Sequence, residues 1–259
     1  MIVLTGITCR PENRSMGDLM LQTIFLGAMS AGSAFLQSLT GFGFGIIMMA
    51  IMPLFLPYQS SLAISTLLSL VLNSVILVRV WRHIDLRQLW LPCLFGLCGS
   101  TFGTFLMASR PSPIYKRALG GFLILLAIWL YFFSDRVRIK PTLASAGIAG
   151  IISGACGGLF SVSGPPMVLY FISVIDDKKT YMATIQCYFL VSNIYLLLIR
   201  YFSNMIPAGI TPQIISGLIG LLIGSFAGSA LFKRIDAAKL KSVVYIFMAL
   251  SGAWIAING

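Results

Sequence analysis

Charge is scarce in this chain. Of 259 residues only 10% are Asp, Glu, Lys or Arg, while 58% are hydrophobic, and the mean hydropathy is +0.94. Soluble domains carry about a quarter charged residues, so a water-exposed coat cannot be built from this composition. An ordinary cytosolic enzyme is excluded, and lipid becomes the main solvent. Acidic residues are the scarcer sign, seven against 18 Lys and Arg, which leaves a net charge of +11. No basic run is long enough, or interleaved with aromatics, to make a nucleic-acid face; membrane lipid headgroups are the simpler partner for loop cations. Histidine occurs once, at His83, among the loop arginines Arg79, Arg82 and Arg87. With no acidic residue inside an apolar run either, no metal site and no resident cofactor is expected. The five cysteines form no CxxC pair and read as small core residues, not as a disulfide framework. Ser161-Val162-Ser163-Gly164 lacks a membrane base to activate a serine, which argues against an intramembrane enzyme, so no catalytic residue is expected.

Long apolar sequence is what remains. The runs are 19–57, 61–80, 89–108, 118–133, 142–175, 181–199, 213–232 and 242–257. Six are about one bilayer long. The first and fifth are much longer and are interrupted by glycine or proline. Trp81, Trp90, Tyr131, Tyr201 and Tyr245 fall near run ends, where interfacial aromatics belong. The expected fold is an all-α polytopic membrane protein with about eight transmembrane segments. Residues 1–16 are read as an N-terminal extension. Its apolar start precedes Arg10 and Arg14, the reverse of a signal peptide, and Met16 is an alternative start.

The chain divides into two similar halves, 17–135 and 142–259, joined by a basic linker at 136–141. A shift of 125 pairs Gly99-Ser100, Gly103 and Leu106 with Gly224-Ser225, Gly228 and Leu231, and also Lys116 with Lys241 and Trp129 with Trp254. Asn73 pairs with Asn193 at 120, and Gly45 with Gly164 at 119. A tandem duplication is expected, each half opening with a Gly/Pro-broken helix, a pattern typical of secondary transporters. The basic residues between runs split evenly between the two sides if each long run crosses once. They split two to one if each enters and returns, which places both termini outside.

The broken segments carry the candidate site. The first reads Gln37-Ser38-Leu39-Thr40-Gly41-Phe42-Gly43-Phe44-Gly45, and the second runs from Ser153 through Gly157-Gly158, Ser161 and Ser163 to Gly164-Pro165-Pro166. Glycine at every second position frees backbone groups that lipid cannot satisfy, so each segment must face protein or a polar cavity. Two half-helix N-termini near mid-membrane are expected, each with unpaired N–H groups and about half a positive charge, ready for an anion. No run contains an arginine in its interior, so backbone dipoles would hold the charge. The candidate substrate-binding residues are Gln37, Thr40, Gly41, Gly43, Gly45, Asn73, Gly157, Gly158, Ser161, Ser163, Gly164, Gln186 and Asn193. Gly99, Gly103, Gly224 and Gly228 are read instead as helix-packing positions.

These residues resemble a known family. Two half-opening motifs, above all Gly157-Gly158-Leu159-Phe160-x-Val162-Ser163-Gly164-Pro165-Pro166, together with about eight short apolar segments, are similar to the sulfite exporter TauE/SafE family of bacterial membrane permeases. The resemblance implies transport of a small sulfur-containing anion, such as sulfite or a sulfonate, across the inner membrane by an internally duplicated helical bundle. Family members are commonly richer in glycine in both motifs, where this chain has Phe42, Phe44 and Pro165-Pro166. Two re-entrant segments are also compatible with an anion channel. Asp18, Asp85, Asp135, Asp176, Asp177 and Asp236 all fall at run edges or in loops, so no buried carboxylate offers a proton relay.

Overall fold

A computed structural model describes residues 16–108, 112–133, 140, 142–207, 209–231 and 249–257. The N-terminal extension up to residue 15, the linker apart from Lys140, Asp135, Asp236, Lys241, Tyr245 and the first part of the last apolar run lie outside the described residues. Nine α-helices are bounded among the described residues: α1 Met16–Thr40, α2 Phe44–Ile51, α3 Tyr58–Val80, α4 Leu86–Ala108, α5 Ser112–Phe133, α6 Leu143–Phe160, α7 Gly164–Val174, α8 Lys178–Phe202 and α9 Thr211–Leu231. A further helical stretch covers 249–257, and no strand occurs among the described residues. Among the described residues, five segments are long and apolar enough to cross a membrane: Tyr58–His83, Leu86–Met107, Leu143–Phe160, Lys178–Phe202 and Thr211–Ala230.

Helix starts follow the local chemistry. Asp85 accepts the Arg87 and Gln88 amides ahead of α4, and Thr142 forms a capping box with Ser145 at α6. Asp177 caps α8 by accepting the Thr180 amide and hydroxyl, both at 2.8 Å. Those bonds hold its carboxyl below the usual carboxylate range. The stabilisation is therefore present at neutral pH and disappears as pH falls through the depressed pKa. Asp177→Ala should lower the thermal midpoint at pH 7 and leave it unchanged in strong acid, as a melt of purified protein would read.

The side chains are distributed inside out relative to a soluble bundle. Phe102, Phe105, Ile219, Ile223 and Phe226 are exposed, whereas Ser30, Ser33, Gln37, Ser61, Ser65, Thr66, Asn73, Gln186, Asn193 and Arg200 are buried. Lipid reverses the usual partition, because polar groups must then find partners within the protein. The most extensive pairings are α4 with α6 and α1 with α9, followed by α3 with α8. Small residues permit the first two. A Cβ on Gly103 would lie 2.5 Å from the Ala155 carbonyl oxygen, and one on Gly224 would lie 1.9 Å from that of Ala31. Both neighbours are backbone and cannot turn aside. Gly103→Leu and Gly224→Leu should each cost about 1–3 kcal/mol or more, whereas Gly121→Leu, with nothing within 4 Å of its added Cβ, should be near neutral. Thermal midpoints of the purified variants check this.

Candidate functional site

Both long runs break where glycine or serine allows it. α1 ends at Thr40, and the chain turns through Gly41 (φ 85°) and Gly43 (φ 116°), left-handed values that suit glycine. α6 ends at Phe160 and turns at Ser161, which takes a left-handed φ of 55° despite its side chain. The short helices α2 and α7 then start at Phe44 and Gly164. The two turns touch: a Cβ on Gly45 would lie 2.5 Å from the Ser161 carbonyl oxygen.

A partly open polar cavity lies between the turns. Gln37, Gly43, Gly45, Asn73, Ser161, Ser163, Gly164 and Asn193 line it, with Phe42, Ile46, Ser69, Val162 and Phe189, which the sequence reading did not single out. Its volume is about 30 Å³, against the roughly 10–15 Å³ that one ordered water requires. It therefore admits a compact group of a few heavy atoms. Larger grooves of about 440 Å³ between α5, α6 and α7, and about 630 Å³ along α1 and α9, are almost wholly apolar. Exposed residues such as Ile148, Ile152, Ile24 and Ile215 line them, which suits lipid contact.

The remaining candidates, Thr40, Gly41, Gly157, Gly158 and Gln186, do not line the cavity, and the lining residue Gln37 also braces the turn beside it. Gln37 Oε1 accepts the Phe44 amide at 3.1 Å, and its Nε2 donates to Asn73 Oδ1 at 2.6 Å and Gln186 Oε1 at 3.4 Å. Gln186 Nε2 donates to the Gly41 carbonyl at 2.9 Å. Thr40 closes its own turn through the Leu36 and Phe42 carbonyls. Gly158 faces α4, where a Cβ would lie 2.6 Å from the Ser100 carbonyl oxygen. The expected rows of unpaired amides are also thinner than the glycine pattern implies. The first donor of α2 is already capped by Gln37, and Pro165 and Pro166 leave Gly164 as the one N–H among the first three residues of α7.

One expectation is overturned. The interior does contain an arginine, because α8 continues past the end of the apolar run to Phe202 and buries Arg200 to 1% exposure. Its guanidinium donates to the carbonyls of Leu62, Gly157 and Gly158, each at 3.2 Å, to Ser161 Oγ at 3.0 Å, and to Thr66 Oγ1. Gly157 and Gly158 thus serve through their carbonyl oxygens. The overlooked signal is the spacing of Gln186, Asn193 and Arg200, seven residues apart and so on one face of α8.

Comparison with known proteins places this arrangement. The family model for "Sulfite exporter TauE/SafE" matches residues 24–255. The chain belongs to that family. A curated relative from Cupriavidus necator, "Probable sulfite/organosulfonate exporter TauE", is 26% identical over 165 residues, 60% of this chain and 62% of the relative, so the match spans less than two thirds of that protein. No solved structure matches the chain. The family is one of membrane transporters, and the exposed apolar side chains and the five crossing-length helices among the described residues describe a multi-pass membrane protein. Among the described residues no group of three or more His, Cys, Asp or Glu is placed to hold a metal ion.

Proposed function

We propose that the protein is an inner-membrane permease for small sulfur-containing anions of the sulfite or sulfonate class, working as an exporter. The observation that carries the reading is the cavity between the two broken helices. It is polar, compact, and lined by amide and hydroxyl groups, with no carboxylate among its residues. The N-termini of α2 and α7 converge on it, and Asn73, Asn193, Ser69 and Ser163 offer further donors around an oxyanion. About 30 Å³ suits a sulfite ion or the head of a sulfonate better than an extended organic solute.

The duplication belongs to the same proposal. Phe42 and Val162, Gly43 and Ser163, Ser69 and Phe189, and Asn73 and Asn193 each line the cavity and are each 120 residues apart. The pairing of α1 with α9 is repeated in that of α6 with α4. Two units of one broken helix and three spans, eight membrane segments in all, would place such a site on their shared axis near mid-membrane. An anion leaving a negative-inside cell moves downhill by about 2.3 kcal/mol per charge per 100 mV, so the membrane potential is a sufficient drive.

Labelled sulfite and methanesulfonate should move in proteoliposomes toward an imposed positive potential, and reversing the potential should reverse the flux. Movement of a neutral solute or a cation, with every anion retained, would overturn the reading.

A further inference from the structure

The two turns are held in different ways, and the difference is a charge. At the first, the neutral amides of Gln37 and Gln186 cap the Phe44 amide and the Gly41 carbonyl. At the second, Gly157 stands 120 residues after Gln37 and Thr66 120 before Gln186. With no amide side chain at either position, the Arg200 guanidinium occupies that place, bonded to Thr66, Ser161 and the Gly157 carbonyl. Closing such a turn does not need a cation, because the first turn closes without one.

All five acceptors of Arg200 are neutral oxygens, its Nε has no partner, and it makes no ion pair among the described residues. The carbonyl end of α6 offsets at most about half a charge. A guanidinium remains protonated in proteins, so net positive charge persists in a buried site, where it is weakly screened. Ser161 lines the cavity, and its Oγ lies 3.0 Å from Nη1. Arg200 thus stands one residue behind the cavity.

We infer that Arg200 is the charge-selectivity residue of this cavity, acting through Ser161 to favour a singly charged oxyanion over a neutral molecule of the same shape. The inference rests on the proposed anion site. It makes no contact with substrate necessary, only a fixed field beside it.

The test uses detergent-purified full-length protein and two probes of similar shape, methanesulfonate and dimethyl sulfone, with binding measured by calorimetry and folding by thermal melt. The wild type should prefer methanesulfonate. Arg200→Gln should reduce that preference by about 30- to 100-fold, with dimethyl sulfone binding unchanged. Arg200→Lys, which keeps the charge but loses the fork of donors, should retain most of the preference. It carries the test alone if R200Q gives no folded protein. A folded R200Q with the wild-type preference, or a folded R200K that has lost it, overturns the role of Arg200. Failure of the wild type to bind methanesulfonate overturns instead the anion site on which the inference rests.

Discussion

Gly45→Leu should insert into the membrane, retain its helical content and carry no anion. The Cβ alone would stand 2.5 Å from the Ser161 carbonyl oxygen, and that neighbour is backbone, so the two turns must separate. The other three carbons would enter a space of about 30 Å³. Both effects remove the geometry that brings α2 and α7 to one cavity. Flux of labelled methanesulfonate should fall to that of empty liposomes. Gly164 separates close approach from volume, since a Cβ there meets Phe42 at 3.5 Å and Phe189 at 3.9 Å, ordinary contact distances. Gly164→Ala should therefore transport, Gly45→Ala should be impaired, and Gly164→Leu should block by filling the cavity. Wild-type flux through G45L would move the substrate path elsewhere in the bundle.

The breaks were legible in sequence because their cause is local. Glycine at 41, 43 and 45 and proline at 165 and 166 disturb a helix whatever surrounds it, so α1/α2 and α6/α7 divide where composition places the division. Asn73 and Asn193 were legible because an amide inside an apolar run needs a partner or a purpose. The capping of Phe44 by Gln37 was hidden, since it depends on how α1 meets α2 in space. Gly158 was misleading for a related reason: the residue type suits both a cavity wall and a packed helix, and only the neighbour decides, here Ser100 on α4. Arg200 was missed because hydropathy ends the run at 199 and assigns the next cation to a loop. The helix runs two residues beyond it, and the arginine points back over α6 to carbonyl oxygens that glycines leave uncovered. Periodicity along α8 held that information, and hydropathy averaging discarded it.

Gln37→Glu should convert the cavity from one that accepts an anion into one that repels it, while leaving the fold in place. The substituted side chain has nearly the same shape, and its carboxylate still accepts the Phe44 amide, now as a charged cap on a helix N-terminus. Asn73 accepts from Gln37 Nε2 at 2.6 Å, and its amide restores that bond by turning over. The changes that remain are one negative charge on the cavity wall and the loss of the long 3.4 Å bond to Gln186 Oε1, whose own amide still donates to the Gly41 carbonyl. At about 5 Å and an effective dielectric of about 20, repulsion of a bound monoanion is about 3 kcal/mol, or on the order of 100-fold in affinity. The sign with pH distinguishes charge from damage. Above the pKa of the introduced carboxyl the repulsion is fully present, and it is lost as pH falls through that value. Methanesulfonate stays anionic over that range, so its flux through Q37E should recover on acidification. Gln37→Leu, which removes the bonds to Phe44, Asn73 and Gln186 without adding a charge, should be impaired equally at every pH. Equal pH profiles for the two variants would show that position 37 supports the turn and does not face the anion.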